Sequence, residues 1–266
     1  MDSAKGENIQ MKKRIVAIVL AAGEGKRMGS GIPKQYMILK SRPMVYHSLK
    51  TFQESEVDEI ILVTGADEID YCRTYIVEKY HFTKVKQIVA GGCERYESVY
   101  RGLMAMGDAD YVLIHDGARP MINQKIVTDS IEAAIKYGAC VVGVPAKDTI
   151  KLVDEEQCAK ETPPRKDMWI VQTPQSFEYE LVKKAYEALI ECGDTTATDD
   201  AMVVEKYSGH KVKIIFGSYE NLKVTTPEDV RISRAYFKTR KIFHVLHNIH
   251  DKIIGFQMKL YLLKKK

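Results

Sequence analysis

The sequence predicts an α/β domain built on a mostly parallel sheet. Three observations carry this: short apolar runs recur along the chain, they end in glycine or polar turns, and helical periodicity follows those turns. Ile15–Leu20 (IVAIVL) is an unbroken apolar run closed by the small-residue loop Ala21–Gly29, the pattern of a strand buried on both faces. A helix is expected near Met44–Phe52, then a strand over Glu59–Val63 stopped by Thr64-Gly65. Val85–Val89 stops at Gly91-Gly92 and leads to a helix over Arg95–Met106. Tyr111–His115 stops at Asp116-Gly117, Gln124–Tyr137 is helical, and Cys140–Pro145 is another strand. The rhythm breaks over Ala146–Val171, where a β-rich start, an acidic turn, Pro163-Pro164 and Trp169-Ile170-Val171 read as an extended hairpin arm leaving the sheet. Helices resume at Glu178–Glu191 and Asp199–Tyr207, followed by a strand at Val212–Phe216 and a helix from Pro227, where proline suits the first turn.

Composition agrees with a single packed body. The chain has 266 residues, 45% hydrophobic and 29% charged, which is enough to bury one core and excludes disorder and collagen-like repeats. No apolar run approaches the ~18 residues that a membrane-spanning helix needs, and the first residues lack a secretory stretch, so a cytoplasmic location is expected. Five cysteines without CxxC spacing argue against both a disulfide framework and a zinc site. Three regions are expected: a disordered extension over residues 1–13 with Met11 as an alternative start, a Rossmann-like domain over 14–237, and a tail over 238–266.

Charge is unevenly spread. From Tyr236 to Lys266 there are eight Lys or Arg and one acid, so the tail carries +7 and the remainder −3. A nucleic-acid-binding core is disfavoured, because phosphate-backbone affinity needs a basic face on the folded body. In the tail Ile242, Leu246, Ile249, Ile253, Phe256, Leu260 and Leu263 recur at steps of four and three, the seam of a basic amphipathic helix. Packing within a dimer and contact with an acidic lipid surface are both open to it.

Ligands of open α/β sheets bind beyond the carboxyl ends of the strands, and the unusual residues of this sequence lie there. Ala21-Ala22-Gly23-Glu24-Gly25-Lys26-Arg27-Met28-Gly29 combines glycines that let backbone amides approach phosphate with two cations, which suits a triphosphate; a plain tight turn is the other reading. The spacing fits neither G-x-G-x-x-G nor a Walker loop. Pro33-Lys34-Gln35-Tyr36 follows, where a rigid turn can aim Lys34 at the same phosphates. Asp116, in His115-Asp116-Gly117-Ala118-Arg119-Pro120, is a carboxylate suited to Mg²⁺ or to capping its own turn. His115 is expected to pack internally. Gly91-Gly92-Cys93-Glu94 opens a helix, and its backbone either reads a base or ribose edge or simply connects strand to helix.

AAGEGKRMG, PKQY, GGCERYESVYRGL, HDGARP, PAKDTIK, MWIVQTPQSF, TDDAMVVE and NLKVTTPED together resemble, in this order, the 2-C-methyl-D-erythritol 4-phosphate cytidylyltransferase family. The resemblance runs from about Ile15 to Tyr236. It implies transfer of CMP from CTP to a sugar-alcohol phosphate with release of pyrophosphate, in non-mevalonate isoprenoid synthesis, with Mg²⁺ shared among the triphosphate oxygens. By motif, it implies that Arg27 and Lys34 stabilise the transition state and that Ala21, Ala22, Gly23 and Gly25 cradle the triphosphate. Asp116 is implied as the magnesium ligand, and Gly92 and Ser98 fall where the family holds cytosine and ribose. Arg165 and Lys223 match the cations for the acceptor phosphate, aided by Thr149, Thr198 and Arg119. The resemblance also implies a homodimer in which the 146–171 arm embraces a second subunit. This chain departs from the family's pattern at Gly117, where a second alanine is common.

Two competing readings stand beside this one. Ribitol-5-phosphate cytidylyltransferases of surface-polymer synthesis share the glycine loop, PKQ and TPQSF, so acceptor identity rests on the arm and the Thr198 and Lys223 loops. A dinucleotide-binding module of another class is the second, and the glycine spacing opposes it.

Overall fold

The computed structural model describes residues 12–23 and 33–239. The expected disordered extension therefore lies outside the described residues except at Lys12 and Lys13, as does the tail beyond residue 239. A seven-stranded sheet forms the middle layer. In chain order its members are β1 (Ile15–Ala21), β4 (Glu59–Thr64), β5 (Val85–Ala90), β6 (Tyr111–Asp116), β7 (Ala139–Pro145), β10 (Trp169–Glu178) and β11 (Lys213–Phe216). Two small hairpins stand apart: β2 (Ile38–Leu39) with β3 (Arg42–Pro43), and β8 (Leu152–Val153) with β9 (Ala159–Glu161). The spatial order is β11-β7-β10-β6-β1-β4-β5. Only β10 runs against the rest of this sheet, pairing antiparallel with both β6 and β7. The mostly parallel α/β fold expected from the sequence is the one observed.

The strict alternation of a strand explains the layers. Along β1, Ile15, Ala17 and Val19 face one way, onto Val45, Leu49 and Phe52 of α1 (Met44–Gln53) and Ile126, Val127 and Ile131 of α4 (Gln124–Tyr137). Val16 and Ile18 face the other way. They meet Val99 and Leu103 of α3 (Arg95–Ala105), and the same apolar layer takes in Val182, Tyr186 and Leu189 of α5 (Tyr179–Cys192) and Val203 and Val204 of α6 (Asp200–Ser208). Both faces of the central strands are therefore dry, which is why β1 reads as a continuous apolar run. Between β4 and β5, a turn of α-helix, α2 (Ile69–Tyr71), passes into a π-helix over Cys72–Glu78. A last helix, α7, begins at residue 227 and continues to 239. Its start follows capping rules: Asp229 N–H meets the Thr226 hydroxyl at 3.4 Å, and the Asp229 carboxylate accepts the Thr226 N–H at 2.8 Å.

The structure departs from the sequence reading along β10. Trp169–Val171 does not leave the sheet with the arm, because these residues pair with Pro145, Val144 and Gly143 of β7. The strand then continues through Glu178, where a helix start was expected, and fills the space between β6 and β7. Its interior is polar: Gln172, Thr173, Gln175 and Ser176 are all buried. The excursion from the sheet is thus residues 146–168, closed at its base by Ala146 N–H donating to the Met168 carbonyl at 2.9 Å. It carries the β8–β9 hairpin.

Candidate active site

Because β10 runs in reverse, the edge that holds the carboxyl ends of the other six strands also holds the beginning of β10. Leu20 of β1 lies in register with Asp116 of β6, and the pairing of β10 with β7 shifts between Val171 and Gln175. Such an irregularity re-aims side chains. Here it turns Thr173 toward the end of β6, where its hydroxyl accepts the Asp116 backbone N–H at 3.1 Å and lies 2.9 Å from His115 Nδ1. His115 is fully buried, as expected, with its ring edge against Phe52. Burial pushes its pKa down to about 3, so the imidazole is neutral and serves packing and hydrogen bonding.

Three cations converge on Asp116, which is 6% exposed. Lys223 Nζ lies 2.9 Å from Oδ2, Arg95 Nε 3.3 Å from Oδ1, and Arg119 Nε 3.7 Å from Oδ2. Burial alone would raise the carboxyl pKa, but Arg95, Lys223 and Arg119 more than offset it and hold the group well below the usual carboxylate range. Each cation is placed by the backbone around it. Val224 N–H donates to the Ala118 carbonyl at 2.8 Å, and Asn221 donates through Nδ2 to the Thr173 carbonyl at 2.9 Å, which pins the loop carrying Lys223. Arg119 donates to the Asn221 carbonyl at 2.8 Å. Arg95, in the first turn of α3, sends its two terminal nitrogens to Asp200 at 2.7 and 2.8 Å. Asp200 is fully buried and also accepts from Tyr186 at 2.5 Å.

Beyond β1, on the side of β4 and β5, the same edge opens into a cavity of about 570 Å³. Ala22, Pro33, Gln35, Glu68, Gly91 and Gly92 are among its lining residues. Gly91 is required there: a Cβ at this position would fall 2.5 Å from Ala22 Cβ and 2.7 Å from Ser98 Oγ. The amides of this turn are used internally. Gly91 N–H donates to Thr64, Gly92 N–H to Ser98 Oγ, and Cys93 N–H to Glu97. This modifies the expectation that the turn's backbone reads a base edge, since any such reading falls to carbonyls rather than to these N–H groups.

One edge thus joins a nucleotide-sized cavity to a buried cation cluster. The family model for IspD, 2-C-methyl-D-erythritol 4-phosphate cytidylyltransferase, matches residues 15–239. The chain belongs to this family. A 2-C-methyl-D-erythritol 4-phosphate cytidylyltransferase of Alkaliphilus oremlandii is 50% identical over 226 residues, which cover 84% of this chain and 95% of that protein. One of Lachnospira eligens is also 50% identical, over 84% of this chain and 98% of its own length. Among solved structures, the 4-diphosphocytidyl-2C-methyl-D-erythritol synthase of Anaerococcus prevotii superposes with a TM-score of 0.75 at 33% identity, covering 85% of this chain and 96% of that one.

In this member of the cytidylyltransferase family, the described residues expected to matter from sequence fall into four groups. Ala21, Ala22, Gly23, Gly92 and Ser98 lie at the ends of β1 and β5 and in the first turns of α3, with Ala22 and Gly92 on the cavity wall. Lys34 starts a single 3₁₀ turn, Lys34–Tyr36, whose neighbours Pro33 and Gln35 line that cavity. Asp116, Arg119 and Lys223 meet in the cation cluster. Arg165 and Thr149 sit exposed at the base of the arm, where Arg165 donates to the Lys147 carbonyl at 3.2 Å, and Thr198 is exposed just before α6. Gly25 and Arg27 lie outside the described residues. Sequence reasoning missed Arg95 and Asp200 as partners in the site. No spacing signals that residues 105 positions apart form one ion pair.

Proposed function

We propose that this protein transfers CMP from CTP to 2-C-methyl-D-erythritol 4-phosphate, releasing pyrophosphate. The observation that carries the reading is the adjacency, across the β1–β6 register, of the cavity at Ala22 and Gly92 to the ionised Asp116 with its three cations. A phosphate oxygen of the acceptor attacks the α-phosphorus in line. The bond from that phosphorus to the β-phosphate oxygen breaks, and its electron pair leaves with pyrophosphate. No enzyme nucleophile takes part, so catalysis consists of positioning and of stabilising charge on the five-coordinate phosphorus.

In this reading Ala21, Ala22, Gly23 and Gly25 cradle the triphosphate, and Gly92 and Ser98 hold the nucleoside. Arg27 and Lys34 stabilise the transition state. Lys223, Arg119 and Arg165 bind the acceptor phosphate, with Thr149 and Thr198 orienting the acceptor's hydroxyls. Asp116 would hold a Mg²⁺ shared with the substrate rather than a resident metal, and since its oxygens face Arg95, Arg119 and Lys223, the ion would take the place of one of these contacts. Asp116 is one buried, ionised carboxylate, and among the described residues no three His, Cys, Asp or Glu are grouped to hold an ion. Bound there, Mg²⁺ would draw charge from the triphosphate oxygens.

Pyrophosphate release measured with CTP and either 2-C-methyl-D-erythritol 4-phosphate or ribitol 5-phosphate tests the reading. The methylerythritol phosphate is expected to have the higher kcat/KM. A clearly higher value for ribitol 5-phosphate, the acceptor that the family match does not favour, would overturn the acceptor assignment.

The arm supports a homodimer. Leu152, Val153, Ile170 and Phe216 are all about half exposed, an apolar set on and beside the excursion that a lone subunit leaves in water. A second copy covering it brings its own arm to the first copy's edge. Leu152→Asp combined with Ile170→Asp is expected to shift the sedimentation coefficient from dimer to monomer. An unchanged coefficient would place the interface elsewhere. The basic amphipathic tail, read from the sequence as a dimer-packing or lipid-facing helix, lies outside the described residues beyond residue 239. Among the described residues no helix is long and apolar enough to cross a membrane.

A further inference from the structure

We infer that Tyr36 is a positioning residue that holds Lys34 for its part in CMP transfer; the inference rests on the role given to Lys34 above. Lys34 begins a 3₁₀ turn of three residues entered through Pro33 and closed by two hydrogen bonds, Tyr36 N–H to the Pro33 carbonyl at 3.0 Å and Met37 N–H to the Lys34 carbonyl at 3.1 Å. So short a turn has little cohesion of its own, and a lysine ammonium rides on a flexible four-carbon stem. What fixes the turn therefore fixes where that stem starts.

The turn is anchored at its last residue. Tyr36 is 8% exposed, and its phenol oxygen meets three side chains of the segment Thr64–Cys72, which carries the opposite wall of the cavity at Gly65 and Glu68. Thr64 Oγ1 is at 2.7 Å, Cys72 Sγ at 3.0 Å, and Glu68 Oε2 accepts the phenol's hydrogen bond at 2.9 Å. Thr64 ends β4, and its hydroxyl donates to the same Glu68 oxygen at 3.0 Å, which also accepts the Gly65 N–H at 3.1 Å. Pro33 and Gln35 line the cavity from one side, and Gly65 and Glu68 from the other. One phenol thus ties the two walls together. The thiol below it belongs to Cys72, the fully buried first residue of the π-helix, and π-helical turns concentrate at functional sites. Burial raises the phenol's pKa, so it remains a donor across the working pH range.

The fold does not depend on this hydroxyl. Without it, Thr64 and Glu68 still satisfy each other, and the ring of phenylalanine keeps the edge-on contact with Tyr71 at 5.0 Å. Tyr36→Phe therefore separates positioning from packing. In the full chain, with CTP, Mg²⁺ and acceptor, it is expected to lower kcat about tenfold while KM for CTP changes less than about twofold. In a Lys34→Ala background the same substitution is expected to cost nothing further, because its effect runs through the ammonium. Glu68→Gln, which keeps the shape and removes the charge that the phenol meets, is expected to show the same coupling, so poor folding of one variant leaves the other to decide. An unchanged kcat in both variants, or the same loss with and without Lys34, would overturn the link between Tyr36 and Lys34. If Lys34→Ala alone left kcat intact, the assignment of Lys34 itself would fall, and the link with it.

Discussion

Lys34→Ala is expected to reduce kcat for CMP transfer by ~10²–10³-fold, the usual cost of removing one preorganised charge partner from a transition state. Affinity for CTP should fall far less, because the walls at Ala22, Gly91 and Gly92 stay in place. The reason is differential: charge on the bridging and equatorial oxygens grows only as the α-phosphorus becomes five-coordinate, and a contact made at that stage alone changes kcat rather than binding. Steady-state kinetics beside CTP calorimetry checks it. Equal losses in turnover and in affinity would reduce Lys34 to ground-state binding.

Arg95→Met should destabilise the fold by ~3–5 kcal/mol, the cost of leaving a buried charge without its partner. Asp200, fully buried, then keeps only Tyr186 among the contacts described above, and Asp116 loses one of its three cations. At this chain length the expected fall in Tm is roughly 6–20 °C, measured by calorimetry. Asp200→Asn should cost less. The Arg95 side chain is 28% exposed, so water and Asp116 can compensate the guanidinium, whereas a stranded Asp200 has no such recourse. If Asp200→Asn proved the worse of the two, the assumption that the carboxylate is the harder group to leave unpaired would be wrong. Activity should suffer in both variants, since Arg95 is the only side chain linking α3, which opens at the Gly91-Gly92 turn, to both Asp116 and the start of α6 among the contacts described.

Sequence reading finds what alternates or clusters locally and loses what is closed through space. Each apolar run became a strand within a residue of its expected ends; in the central strands β1, β4, β6 and β7 burial on both faces leaves few polar positions to interrupt it, and at the edges β5 and β11 the β-branched residues carry the signal. β10 escaped for the opposite reason. Its buried stretch is Gln172-Thr173-Pro174-Gln175-Ser176, a polar run with a central proline that reads as loop. Its two glutamines are paired to distant partners: Gln172 donates to the Ser218 carbonyl, and Gln175 donates to Asp199 and accepts from Ala201 N–H. The site divides in the same way. Asp116, Gly92 and Lys223 were visible because each sits in a short motif at a strand end or in a loop. The partnership of Arg95 with Asp200 and that of Tyr36 with Thr64 and Glu68 were not, since each joins separate parts of the chain.

The reversed strand has a consequence for how this scaffold can change. Since β7 and β10 are hydrogen-bonded neighbours, the chain that departs after Pro145 is returned by Met168 to a point beside its origin. For the stability of the sheet, lengthening or shortening such a detour matters chiefly through the entropy of closing it, about 0.6 kcal/mol for each doubling. Insertions, deletions and wholesale replacement there leave the sheet's register untouched, so natural selection can rework whatever the detour meets without renegotiating the core.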